Sequence, residues 1–154
     1  MSERTLNVLK AFDMARRAHA GQKYGDEDYI WHPYRVALAF DQPRFQIVGM
    51  LHDTVEDTDL TLAEIEAFFG AEISQDVDTL TRRKEEEYLS EYIPRVGRFP
   101  SARKVKIADL RENIRAALAS PQKYRGLLRR YRKALEYLEA VEKSELVGES
   151  PFAL

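Results

Sequence analysis

The run Leu51-His52-Asp53-Thr54-Val55-Glu56-Asp57-Thr58 (LHDTVEDT) decides how this chain is read. It follows the heavily apolar stretch Phe45, Ile47, Val48, Met50 and Leu51, which has the density of a central helix. Consecutive residues of a helix point about 100° apart, so His52 and Asp53 cannot share one helix face. At the end of a helix the two side chains can still converge on one ion. Glu56 lies four residues after His52, and Asp57 four after Asp53, which keeps both acids on the same side as the first pair. These are too many acids for ligands alone. A carboxylate beside a metal-bound water can accept its proton, orient it and later protonate a leaving oxygen.

Two further pieces extend the set. The chain has three histidines, His19, His32 and His52. His32 precedes Pro33, and proline favours the first position of a helix. Asp109 lies in VKIADLREN (105–113). Together His32, His52, Asp53 and Asp109 offer two imidazoles and two carboxylates, a mixed set that suits Mn²⁺, Fe²⁺, Zn²⁺ or a similar ion. Such a set leaves positions for water and a phosphate oxygen, as a catalytic metal requires. A lone His-Asp pair would more often be a solubilising helix end. The upstream His-Pro and the downstream ADLREN weigh against that here. His19 reads as a satisfied, partly buried histidine.

The rest of the pattern is helical. Leu6, Leu9, Phe12, Met14 and Ala15 mark a first helix, with Gly21 as its stop, and residues 21–31 read as a loop. The helix after Pro33 has the stripe Val36, Ala37 and Phe40, and Pro43 opens the next. Thr61-Leu62-Ala63-Glu64 is a capping box for a helix running through Ile65 and Phe68 to Gly70. Further helices are predicted near 72–81, 85–96, 101–118 and 121–143, with no strand alternation and no internal repeat. Tyr88, Tyr92 and Phe99 read as packing residues. Tyr124, Leu127, Leu128, Tyr131, Leu135 and Leu138 read as the core face of the last helix. VGESPFAL (147–154) reads as a frayed or docked tail.

The chain has 154 residues, 24 Lys+Arg against 26 Asp+Glu, and no cysteine. That length suits one domain. A net charge of −2 argues against a wholesale nucleic-acid binder. The missing cysteine excludes disulfides, thiolate ligands and thiol nucleophiles, and fits a reducing compartment. The N-terminal stretch carries charges throughout and lacks a signal-peptide core, and no apolar run is long enough to span a membrane. A cytoplasmic protein is expected, as a monomer or homo-oligomer. Charge is segregated: residues 45–81 hold nine acids and no Lys or Arg, while 121–133 hold six basic residues and no acid. Those basic residues suit a solvated face or a subunit contact. Arg82, Arg83 and Lys84 could neutralise a phosphate tail.

His32, His52-Asp53 and Asp109, in this order and in a helical frame, resemble the HD superfamily of metal-dependent phosphohydrolases. AHAGQ (18–22), YIWHPYRVA (29–37), LHDTVEDTDLTLAEI (51–65), FG (69–70) and VKIADLREN (105–113) narrow the resemblance to the hydrolase domain of RelA/SpoT proteins and to the stand-alone small alarmone hydrolases. The resemblance implies an all-α fold, a single compact HD-domain bundle of about eight to ten helices, over residues 1–144 with a tail at 145–154. It implies His32, His52, Asp53 and Asp109 as metal ligands, usually for Mn²⁺, and Glu56 and Asp57 as the pair that activates the water. Asn113 would contact the nucleotide sugar, and Lys106 would steady phosphates or the acidic cluster. The implied reaction is removal of pyrophosphate from the 3′ position of guanosine tetra- or pentaphosphate, the alarmones of the stringent response.

The chain also departs from that pattern. The family usually carries an Arg-Lys pair between the Gln of AHxGQ and the Tyr of YIxHP, and its arginine packs on guanine. Here the segment is Lys23-Tyr24-Gly25-Asp26-Glu27-Asp28, with no arginine and three acids. Lys23 and Tyr24 are assigned to the substrate, Tyr24 as a stacking ring, together with Arg82. Ala116 stands where the family often has Thr. Two alternatives stay open: an HD phosphatase for another phosphorylated nucleotide, and a non-catalytic nucleotide-binding HD module.

Overall fold

A computed structural model describes residues 1–148. It is all-helical apart from one two-stranded ribbon, and it divides into two units, Met1–Arg82 and Arg83–Leu154.

The first unit contains α1 (Glu3–Ala18), the ribbon strands β1 (Lys23–Tyr24) and β2 (Glu27–Asp28), α2 (Trp31–Ala37), α3 (Pro43–Leu51), α4 (Thr54–Asp57), α5 (Leu62–Phe69) and α6 (Ala71–Leu80). Helix α3 is the hub, packed against α1, α2 and α6. Its Ile47, Val48, Met50 and Leu51 are buried with Ala11 and Ala15 of α1, Val36 and Ala37 of α2, and Val77 and Leu80 of α6. Burying side chains of this size stabilises by roughly 1.5–3 kcal/mol each. The capping box forms as the sequence predicts: Thr61 Oγ1 accepts from the Glu64 amide at 3.2 Å, and Glu64 accepts from the Thr61 amide at 2.9 Å.

Where α3 stops matters most. Asp53 lies near φ −102°, ψ −4°, the sparsely populated bridge region, and α4 starts one residue later. The buried Thr54 hydroxyl donates to the Leu51 carbonyl at 2.7 Å, which satisfies an acceptor freed by the break. Upstream, Gly49 lets α3 approach α2 closely. A β-carbon there would sit 3.0 Å from the Ala37 Cα and 3.1 Å from its nitrogen.

The second unit contains a π-helical turn (Tyr88–Tyr92), α7 (Ile93–Gly97), α8 (Pro100–Ala117) and α9 (Arg125–Leu146). Arg103 of α8 is fully buried. It donates to the Gly97 carbonyl at 2.8 Å and to Glu142 at 2.9 Å, and pairs with Glu145, which ties α7, α8 and α9 together.

Several expectations are corrected. The 21–31 segment holds the ribbon, turned by Gly25 at φ +64°. The helix expected over 85–96 is a π turn followed by α7. The Tyr92 amide reaches back five residues to the Glu87 carbonyl at 2.9 Å, and Pro94 falls in the first turn of α7, where a missing N–H is tolerated. Helix α9 starts at Arg125, later than Pro121, and runs to Leu146. Residues 149–154 of the expected tail lie outside the described residues. Tyr88, Tyr92, Leu128 and Leu138 are buried as expected, whereas Phe68, Phe99 and Leu127 are exposed. Among the described residues no helix is long and apolar enough to cross a membrane.

Gly49→Ala should destabilise the protein by about 1–3 kcal/mol, because the clash is with backbone. Gly126→Ala, in open space on α9, should stabilise it by about 0.4–1 kcal/mol. Urea unfolding midpoints check both.

Candidate functional site

The break after α3 lets neighbouring residues point the same way. The His52 Nδ1–H donates to the Gly49 carbonyl at 2.7 Å, which leaves Nε2 as the lone-pair nitrogen of the neutral ring. That nitrogen lies 3.0 Å from Asp53 Oδ2. His32 comes from the first turn of α2, and its Nε2 lies 3.9 Å from the same oxygen. The two imidazole rings are 5.5 Å apart and both are buried. A lone-pair nitrogen and a carboxylate oxygen at 3.0 Å repel unless a proton or a cation lies between them. The trio His32, His52 and Asp53 is thus a donor set that fits a divalent cation.

A polar frame holds the trio. The Tyr29 hydroxyl donates to Asp53 Oδ2. Tyr24 stacks on His32 at 4.9 Å with ring planes 14° apart. His19 Nδ1 donates to Gln22 Oε1 at 2.8 Å, and Gln22 Nε2 donates to the Asp57 carbonyl at 2.9 Å. His19 is buried, with its ring 4.6 Å from that of Tyr29. Desolvation holds its pKa below the usual histidine value against the pull of the Gln22 bond. Glu56 and Asp57 are exposed on α4, and Glu56 accepts from the Arg82 amide at 2.6 Å. Lys23 lies in the ribbon, paired with Asp28 at 2.5 Å.

In the second unit Asp109 of α8 is buried. Its Oδ2 accepts from Lys106 Nζ at 2.8 Å and its Oδ1 from the Asn113 amide at 3.1 Å. Lys106 is buried, 5.2 and 5.7 Å from the ring centres of Tyr92 and Tyr88. Burial works against its charge, yet the Asp109 carboxylate together with Tyr92 and Tyr88 holds the pKa well above the usual lysine value. Lys106 and Asn113 therefore fix the orientation of Asp109. Like His32 and His52, Asp109 is a buried side chain of a kind that can hold a metal ion.

Tyr29 and Gln22 were not singled out from the sequence. Both fall within stretches quoted there, YIWHPYRVA and AHAGQ, but hydroxyl and amide side chains carry no signal of their partners.

No family model matches the chain. It is 36% identical over 130 residues to the human guanosine-3′,5′-bis(diphosphate) 3′-pyrophosphohydrolase MESH1, covering 75% of this chain and 72% of that protein. The chain belongs to the MESH1 family of ppGpp hydrolases. Its mouse member is 36% identical over 128 residues, with the same coverage. A probable GTP pyrophosphokinase of Mycobacterium leprae is 32% identical over 147 residues, but the match spans only 18% of that longer protein. Among solved structures, a metazoan ortholog of SpoT that hydrolyzes ppGpp shares the fold, with a TM-score of 0.76, 20% identity, and coverage of 90% of this chain and 86% of that one.

Tyr29→Phe should weaken divalent-cation binding about 10–100-fold, as expected when a ligand loses its orienting partner. Calorimetric titration of metal-stripped protein checks it, with an unchanged circular dichroism spectrum as control. A pH effect follows from His19. Its folded pKa lies below the unfolded value of 6.5, so the unfolded chain binds the proton first as pH falls. This group's contribution is whole above about pH 6.5 and declines below it, down to the folded pKa. Between about pH 7.5 and 5.5 the urea midpoint of the wild type should fall further than that of His19→Gln.

Proposed function

We propose that the chain hydrolyses the 3′-pyrophosphate of guanosine tetra- or pentaphosphate, with a divalent cation, Mn²⁺ by preference. The observation that carries this reading is the convergence of His52 Nε2 and His32 Nε2 on Asp53 Oδ2, at 3.0 and 3.9 Å. Kinship at 36% identity with a protein named for that reaction supports the substrate. His32, His52, Asp53 and Asp109 would hold the cation, Asp109 on the strength of the VKIADLREN resemblance. When bound, the cation lowers the pKa of a coordinated water toward neutrality.

The protein side chains supply the rest. Gly49 holds His52 in the tautomer that offers Nε2. Tyr29 holds the Asp53 carboxylate. Glu56 and Asp57, exposed one turn beyond, take a proton from the attacking water and return it to the 3′ oxygen. The bond from phosphorus to that oxygen breaks, pyrophosphate leaves carrying the oxygen of water, and GDP or GTP remains. Asn113 would meet the sugar, Lys106 would act through Asp109, and Lys23, Tyr24 and Arg82 would line the substrate side. This reading takes residues 1–144 as one hydrolase domain; α9 carries on through Glu145 and Leu146, so the tail expected over 145–154 starts later. It places the protein in the cytoplasm, without nucleic-acid or membrane partners and free to form a homo-oligomer.

A second reading keeps the chemistry and changes the nucleotide. The Lys23–Asp28 ion pair, in a ribbon without arginine, favours it, because the arginine that pairs with the ribbon, Arg35, is engaged by Glu27.

Metal-stripped protein should convert ppGpp to GDP and pyrophosphate only after Mn²⁺ is added, as read by anion-exchange chromatography. Asp53→Asn should lose both turnover and Mn²⁺ binding. Inert ppGpp with turnover of another nucleotide would select the second reading, and full activity in Asp53→Asn would overturn the mechanism.

A further inference from the structure

Arg130 stands apart from four other shielded arginines. Arg35, Arg44, Arg95 and Arg103 are buried or half-buried, and each faces a carboxylate: Glu27, Asp76, Glu86, and Glu142 with Glu145. Arg130 is also half-buried, on α9, but no acid pairs with it among the described residues. Its guanidinium carbon sits 4.3 Å from the centre of the Tyr88 ring. Its Nε is buried and has no hydrogen-bond partner. A desolvated N–H of a charged group is costly to leave unmet, and only an anion returns the full value of a guanidinium.

The surroundings are built to hold this arginine. Tyr88 opens the π-helical turn, a feature often found at functional sites. Its ring has Arg130 against it and Lys106 at 5.7 Å. Lys106 is neutralised by Asp109, so the charge of Arg130 is the one left over. Stacking on an aromatic ring fixes the plane of the guanidinium and leaves its edge donors for bidentate contact with an oxyanion.

We propose that Arg130, seated on Tyr88, is an anion-binding residue that takes a phosphate or pyrophosphate group. The inference deepens the function proposed above and rests on that reading only for the identity of the anion, a phosphate group of the nucleotide. A planar donor fork prefers tetrahedral phosphate oxygens to a lone halide, so the subsite favours phosphate-rich substrates.

The test uses the full chain, metal-stripped, with inorganic pyrophosphate as probe in calorimetric titration, and wild-type ppGpp turnover with Mn²⁺ measured in parallel. Arg130→Met should bind pyrophosphate at least about tenfold more weakly, and Arg130→Lys should recover part of the loss, since it keeps the charge without the fork. The melting temperature of Arg130→Met should hold or rise, because the substitution removes a buried unmet donor. Equal binding by the wild type and Arg130→Met, or no binding by the wild type, overturns the proposal. So does a binding loss that comes with a lowered melting temperature and that Arg130→Lys does not relieve, since the arginine would then be structural. No ppGpp turnover together with Arg130-dependent pyrophosphate binding removes the alarmone reading and keeps the subsite. Turnover with Arg130-independent binding does the reverse.

Discussion

A neutral imidazole nitrogen cannot rest 3.0 Å from a carboxylate oxygen without positive charge between them, and much of the first unit follows from this constraint. The Gly49 carbonyl accepts from His52 Nδ1–H, so the ring turns its Nε2 toward Asp53. At the same Gly49 α3 comes close to α2, which carries His32. One glycine thus serves packing through its missing side chain and electrostatics through its carbonyl. The end of α3 serves in the same way. A helix continued through Asp53 would have turned its carboxylate about 100° from His52. The break turns it back, and Thr54 satisfies a carbonyl that the break releases.

The second unit solves a related problem with opposite means. A buried carboxylate is costly unless it is paired and hydrogen-bonded. Asp109 receives an ammonium and an amide from its own helix, at positions three before and four after it. Lys106 in turn lies against the rings of two tyrosines, which offer a cation weak attraction, and Tyr88 also hydrogen-bonds with it. The carboxylate stays aimed. The cost is borne by α8, which spends three side chains on one oriented group.

Much of this was legible in the sequence. The capping box at Thr61, the helix start at Pro43, the apolar density of α3 and the His52-Asp53 pair are all local signals, and each reads directly as structure. The all-helical architecture followed from spacing. The π turn is not legible because one bond reaching back five residues, from Tyr92 to Glu87, leaves no mark on the apolar spacing of 85–96. The ribbon was missed because two-residue strands have no periodicity to detect. Tyr29 and Gln22 were missed for a different reason: their roles depend on contacts across 24 and 35 residues of chain. Arg130 was read as part of a basic face because five neighbouring cations share its segment. Charge runs do not reveal which member turns inward.

The ribbon between α1 and α2 is where the chain differs most from its family pattern, and its chemistry sets a limit on recognition. Lys23 pairs with Asp28 and Arg35 with Glu27, so two cations near the ribbon are already engaged by its own acids. Tyr24 has one ring face against His32. A purine entering beside this segment would meet aromatic edges and satisfied ion pairs rather than an open guanidinium. Stacking on a tyrosine discriminates poorly among bases, because every base has a π-face. Base specificity in this chain therefore has to come from hydrogen bonds made elsewhere or be relaxed. The phosphate groups, which every alarmone and many other nucleotides share, would then carry more of the binding.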